Sequence, residues 1–184
     1  MRGSHGTCKT FAASVLANGF NPSAEGRLGP GIYFWRISAD APGTISGRKR
    51  AKDWHWNAKR MRDSPYAKAP DKSCAVLFAE IKESNVLSLD NDNVLNKFSR
   101  FFEVAIRKYQ AASPEGITDT IQSNIHDEFV DFLLEEGGVI DVVTGPIQMV
   151  RRGKFGIANA RPFWPGIVVR NKDAIKEVVL DTGR

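Results

Sequence analysis

With 184 residues, 42% apolar and 26% charged, the chain holds enough material for one globular domain with its own core. No apolar run reaches the ~18 residues of a membrane span, no secretory leader opens the chain, and Cys8 and Cys74 form neither a zinc pattern nor a disulfide framework. The net charge of +5 is unevenly placed: residues 47–72 carry nine Lys or Arg against three Asp, whereas 126–141 are acidic. The basic segment is either an electrostatic footprint for nucleic acid or a solvated face.

The elements are expected in this order. A short strand over Gly3–Thr7 leads into a helix from Cys8 to Asn18 that Gly19 terminates. After a polar loop with Pro22 and Gly26, GIYFWRI (31–37) predicts a strand, β-branched and aromatic behind a glycine break. A second helix is expected over Arg48–Arg62, with Ala51, Trp54, Ala58 and Met61 on its apolar face and Arg48, Lys52, His55, Lys59 and Arg62 opposite. Strands follow at 75–81 and 86–90, and helices at 93–112 and 118–136, the latter stopped by Gly137-Gly138. VIDVVTGPI (139–147), GIVVR (166–170) and EVVLD (177–181) close the chain as strands, the last two joined by a helical turn over 172–176. This is an α+β pattern: a mixed sheet with helices packed on it, in a single domain spanning 1–184.

Most familiar chemistries are excluded. The chain has three histidines and no His/Cys cluster of zinc spacing, so no metal is expected. It has no phosphate-binding G-x-x-x-x-G-K-[ST] loop, no G-x-G-x-x-G between strand and helix, and no G-x-S-x-G elbow. What remains is N-terminal. His5-Gly6-Thr7 lies at an expected strand end, and Gly31-Ile32-Tyr33-Phe34 opens another strand. Glycines there let a ligand approach the backbone, exposed peptide groups beside them can hold an amide, Tyr33 offers a flat face, and a histidine can hydrogen-bond a ribose hydroxyl. A flat, amide-bearing heterocycle on a sugar suits that set. A packing tyrosine and a surface histidine are the alternative.

The run HGTCKTFAASVLANGFNPSAEGRLGPGIYFW (5–35) resembles the N-terminal half of the ADP-ribosyltransferase fold, in the branch of the poly-ADP-ribose polymerases and diphtheria toxin. That family reads His-Gly-Thr/Ser, a helix, Gly-Phe, a variable loop and Gly-x-Gly-Ile-Tyr-Phe, in the order found here. Ala51, Trp54 and Ala58 loosely match the family's next helix, and IDVVTGPI and GIVVRNKDAIKEV its later strands. The resemblance implies a mixed sheet split into two packed sheets with flanking helices, and NAD+ as substrate. It implies that His5 binds the adenosine-side ribose, Gly6 holds the nicotinamide amide through its backbone, Tyr33 stacks on the nicotinamide, Thr7 touches the ribose, and Gly31 lines the site. Trp54 would be a second stacking wall, or simply a core residue, and Arg27 would meet the pyrophosphate, or simply be an exposed loop arginine.

The pattern departs at one place. The family's glutamate at the start of the penultimate strand falls near Pro165 here, between Trp164 and Gly166. That implies mono- rather than poly-ADP-ribosylation, or an inactive fold serving as an NAD+/ADP-ribose-binding or partner-binding module. Asp141 and Glu80 are candidate replacements, each with a structural alternative; Asp127, Glu128, Asp131, Glu135 and Glu136 are expected on a solvated helix face. Size and resemblance together imply a cytoplasmic toxin or effector, or one delivered into a target cell's cytoplasm, with no attached targeting domain and no membrane association. An antitoxin or immunity protein is compatible with that. The acceptor is a macromolecule, RNA or DNA if Lys52, Trp56, Lys59 and Arg62 form a nucleic-acid face, and protein otherwise; a small molecule is a lesser alternative.

Overall fold

The computed structural model describes residues 1–24, 26, 28–37, 43–112, 119–148 and 163–182. The elements are β1 (Arg2–Cys8), α1 (Lys9–Asn18), β2 (Ile32–Ile37), α2 (Gly43–Lys59), β3 (Cys74–Ile81), β4 (Val86–Ser88), α3 (Asp92–Ala112), α4 (Asp119–Glu135), β5 (Val142–Gln148), β6 (Phe163–Val169) and β7 (Ile175–Leu180), with a 3₁₀ turn over Lys172–Ala174. The expected elements are all present, with shifted boundaries. Helix α2 starts five residues before the expected Arg48, and β5 begins at Val142 because Asp141, expected inside the strand, turns back to accept hydrogen bonds from Asn85 and Asn171.

The strands form one seven-stranded sheet in the order β4-β5-β6-β2-β1-β3-β7. Only β4–β5 is parallel; the other pairs are antiparallel. The expected pair of packed sheets is therefore corrected to a single continuous sheet. β2 is hydrogen-bonded along both edges, to β1 and to β6, and so bridges the two halves. The bridge is weak on one side, since β1–β2 pairing covers only Arg2↔Ile37, Gly3↔Arg36 and Ser4↔Trp35.

Side chains alternate across this sheet. Ile32, Phe34, Leu77, Ile167 and Val169 pack on one face with Ala12 of α1 and with Phe20. Trp35, Val76, Val143 and Val168 pack on the other face with Ala51 of α2 and with Phe129 and Val130 of α4. α3 lies against α4 through Phe98 and Phe101, whose rings meet Phe129 at centroid distances of 5.1 and 5.4 Å. The first pair is edge-to-face, a favoured aromatic geometry, and the second is tilted.

The buried stripe of α2 is Gly47, Ala51, His55 and Ala58, a helical spacing of four, four and three. It differs from the expected 51/54/58/61 stripe. Trp54 is 37% exposed and His55 is buried. A small residue fits where this helix crosses β1: a Cβ on Gly47 would come within 3.1 Å of Ser4 Oγ, which donates to Gly47 O at 2.8 Å. His55 fills the adjoining space by stacking on Tyr66, 5.2 Å between centroids, and donating Nε2–H to Lys72 O at 3.1 Å. Burial lowers its pKa, so the ring is neutral in the fold.

Candidate functional site

The hydrogen-bond alternation of β1 defines the site. Lys9 N–H donates to Ser73 O and Ile81 N–H to Met1 O, which fixes the odd-numbered residues of β1 as the ones exchanging hydrogen bonds with β3. The even-numbered residues then direct their N–H and C=O groups toward β2. Arg2 and Ser4 find Ile37 and Trp35 there. Gly6 is next in that series, and the ladder has already stopped. Its peptide groups face a gap between β1 and β2.

Across the gap stands Tyr33, next in the matching series on β2. Its carbonyl accepts a hydrogen bond from His5 Nδ1 at 2.9 Å. A carbonyl can only accept, so Nδ1 carries the proton. Burial, the larger influence, lowers the His5 pKa against the opposing pull of this bond, so the ring is neutral and Nε2 is a hydrogen-bond acceptor. His5 was expected at a strand end; it lies inside β1, partly buried, with Phe20 and Phe34 edge-on at 5.2 and 5.9 Å. It wedges the two strands apart by taking the carbonyl that the ladder would otherwise use.

His5 and Tyr33 point to opposite faces of the sheet. The His5 ring packs with Phe20 and Phe34 on the α1 side, whereas Tyr33 packs with the cluster on the α2 and α4 side. The gap is where one ligand could meet both, with the Gly6 peptide between them. Tyr33 is held firmly. Its hydroxyl accepts from Leu28 N–H at 3.0 Å and donates to Gly29 O at 2.5 Å. Burial pushes its pKa up to about 12, so it is a neutral phenol at any physiological pH.

The Gly-Pro-Gly before Tyr33 serves this clamp. Gly29 sits at φ 83° and Gly31 at φ 148°, both positive. A Cβ on Gly31 would come 2.6 Å from Val168 Cγ1, so a glycine lets β6 lie close. A Cβ on Gly26 would come 2.1 Å from the Tyr33 hydroxyl. These glycines therefore have packing reasons of their own. So does Gly6, whose Cβ would lie 1.7 Å from Ala51 O of α2. A ligand would reach the Gly6 peptide along the gap and not over its α-carbon.

Other expected site residues are placed differently. Thr7, expected to touch the ribose, is buried and hydrogen-bonded to Tyr66. Arg27 lies outside the described residues. Pro165 is exposed, beyond the last β2–β6 rung at Trp35↔Gly166, at the end of β2 away from the gap; beside Tyr33 the β6 partner is Val168. Glu80 is exposed on β3, opposite Arg2 and Glu177. Asp141 is tied to Asn85 and Asn171 at 2.8 and 2.9 Å, bonds that hold its carboxyl below the usual range.

Two residues near Tyr33 carry no sequence signal. Arg170 donates Nη2–H to Asp127 Oδ1 at 2.7 Å, and its charge favours the ionised form of Tyr33. His126 stacks on Phe98 at 4.4 Å, with its Cβ 3.9 Å from where a Gly29 Cβ would sit. Asp127 is thus removed from the solvated acidic face, and Glu128 accepts from the Tyr109 hydroxyl; Asp131, Glu135 and Glu136 are exposed as expected. Burial alone takes His126 down to about 4.

On the outside of α2, Lys52, Trp56 and Lys59 are exposed on one side, and Arg60 and Arg62 lie exposed in the turn that follows. His55 and Arg48, expected on that basic face, are corrected: His55 is buried, and Arg48 is partly buried, bonding Asp181 at 2.6 Å. Among the described residues there is no group of three or more His, Cys, Asp or Glu that could hold a metal, and no helix long and apolar enough to cross a membrane. Comparison with protein-family models, with curated proteins and with solved structures found no match to this chain.

Proposed function

We propose that this chain is an NAD+-dependent mono-ADP-ribosyltransferase acting on a macromolecule. The observation that carries the reading is the β1–β2 gap: the paired strands part at the residues the family motif names, Gly6 and Tyr33, and His5 holds them apart. The residues fit the substrate. The Gly6 N–H and C=O offer the donor and acceptor that a carboxamide needs. The Tyr33 ring offers a stacking face on the α2 side. Nε2 of neutral His5 offers an acceptor for a ribose hydroxyl on the α1 side.

In the reaction, the bond between nicotinamide nitrogen and ribose C1′ breaks and its electron pair leaves with nicotinamide. A lone pair on the acceptor forms the new bond at C1′ and the acceptor's proton passes to solvent. The chain's residues contribute positioning, by fixing the carboxamide and ribose so that bond breakage meets a placed acceptor. On β6 the residue beside Tyr33 is Val168 and not an acid, so this strand offers no carboxylate to activate a ribose hydroxyl, which supports transfer of a single ADP-ribose without chain extension.

The lack of an acid beside Tyr33 on β6, where Val168 stands, supports a second reading, an NAD+- or ADP-ribose-binding module without transfer. Incubation with NAD+ labelled in the adenylate half and a cell extract separates the two. Transfer gives label in macromolecules and released nicotinamide, both lost in Tyr33→Ala and His5→Ala variants that still melt cooperatively. Saturable NAD+ binding with no label transferred establishes the binding module. Absence of both, or turnover that survives both substitutions, overturns the site.

A further inference from the structure

We propose that the outer face of α2 and the turn after it bind single-stranded nucleic acid, with Trp56 as the stacking platform and Lys52, Lys59, Arg60 and Arg62 on the phosphates. Assigning that strand as the ADP-ribose acceptor rests on the transferase reading above; the binding does not.

The placement of charge is the first observation. Residues 47–72 hold nine Lys or Arg and three Asp, an excess of six on a chain whose total is +5. The fold sorts these charges. Arg48 is drawn to Asp181 at 2.6 Å and Arg50 to Asp53 at 3.6 Å, both partly buried. Asp71 is hydrogen-bonded by Ser73 N–H and Oγ–H. Lys52, Lys59, Arg60 and Arg62 stay exposed and make no ion pair among the described residues; Asp63 is the one acid exposed in the same turn.

The aromatic group is the second observation. Trp56 is 54% exposed, near the middle of this side: Lys52 is four residues before it, and Lys59 and Arg60 three and four after. The helix ends by tightening, with Arg60 N–H donating to Asn57 O at 3.1 Å, and the Arg60 guanidinium lies 4.5 Å from the Trp56 ring centroid. That cation–π contact covers part of the indole and orients it. A large ring left in water on a polar helix, braced by an arginine and flanked by lysines, is the combination that single strands use: bases stack on the ring while cations follow the backbone. An acidic peptide would use the cations and have no need of the ring. From Lys52 to Lys59 the helix advances about 10 Å, and the turn carrying Arg60 and Arg62 extends this, room for a few nucleotides. Duplex DNA keeps its bases stacked inside and would gain nothing from Trp56.

The test is fluorescence anisotropy of the full chain with labelled 12-nucleotide RNA and DNA of mixed sequence, without NAD+. Wild type should bind single strands better than the matching duplex, with a log–log salt slope near −3 for about four phosphates. Trp56→Ala should weaken binding about tenfold or more, and Trp56→Phe, which keeps a ring, should recover most of it. Lys52→Glu with Lys59→Glu should weaken binding and flatten the salt slope by about 1.4. Lys97→Glu with Lys108→Glu on exposed α3 positions should do much less. All four variants are surface changes whose melting should match wild type. Unchanged affinity in Trp56→Ala, or equally tight binding of poly-glutamate that ignores Trp56, overturns the proposal, the latter in favour of an acidic protein partner. Labelled NAD+ added to the same oligonucleotides then separates the two readings. Binding without transfer keeps the surface and counts against the acceptor assignment; transfer to extract protein with no oligonucleotide binding keeps the enzyme and rejects the surface.

Discussion

The two edges of β1 behave differently. Along its β3 edge the strand is paired at every residue from Arg2 to Cys8. Along its β2 edge pairing stops after Ser4, although both strands continue. The odd-numbered residues of β1 bond β3 and the even-numbered ones face β2, along one continuous strand. What differs is the hydrogen-bonding partner at the decisive carbonyl. On the β3 edge it is peptide N–H throughout; on the β2 edge a His5 ring nitrogen takes Tyr33 O. A strand can therefore be scaffold on one edge and present open peptide groups on the other, and rigidity on the first edge keeps the second edge open without collapse.

That contrast can be broken most severely at Gly6. Gly6→Ala drives a Cβ into the Ala51 carbonyl of α2, 1.7 Å away, where backbone must move. We expect a loss of about 3 kcal/mol or more in urea unfolding and, on the proposed transferase reading, loss of NAD+ binding with it. Stability unchanged within about 0.5 kcal/mol would show that α2 does not rest on β1 as described.

Acidification tests the backing of the open side. His126, behind the Gly29 turn, is neutral in the fold with its pKa at about 4, and burial also lowers His5 and His55. The unfolded chain therefore binds the extra protons. The contribution is full above the ordinary histidine pKa of ~6.5 and is lost as pH falls from there toward 4. For His126 alone the loss at pH 5 is about 2 kcal/mol, or roughly 4–8 °C in Tm. His126→Phe, which retains a ring against Phe98, should flatten the profile; an unaltered profile would place the acid sensitivity elsewhere.

Tyr33→Phe sharpens the comparison by keeping the ring and removing its clamp. Leu28 N–H loses its acceptor and Gly29 O its donor. The expected cost is about 1–2 kcal/mol, with NAD+ turnover reduced but measurable, in contrast to Tyr33→Ala. Equal loss of turnover in both variants would mean that the hydroxyl, and not the ring face, carries the role. The smallest effect is expected from Asp127→Asn. Its pair with Arg170 is partly exposed, so the loss should stay below about 1 kcal/mol and shrink further in salt.

Most elements were legible because local patterns and breaks agree. Gly19 ends α1 at φ 80°, with its N–H on Val15 O, as a glycine after a helix predicts. The strands AVLFAEI and GIYFWRI show their β-branched and aromatic content directly. The stripe of α2 expected from spacing, Ala51, Trp54, Ala58 and Met61, shares Ala51 and Ala58 with the buried one and differs at the other positions. The helix crosses β1 closely, so Gly47 belongs to the buried stripe, and Trp54 faces outward while His55 faces inward.

The sequence by itself determined the helices, the strands and which residues belong to the motif. It also determined where the positive charge lies, because these are properties of neighbours within a few positions. Only the tertiary structure decided that the sheet is continuous, that Gly6 faces a gap, that His5 and Tyr33 serve opposite faces of it, and that Pro165 lies at the far end of β2. Those facts depend on register between strands distant in the chain, and register is set by packing that no local pattern encodes.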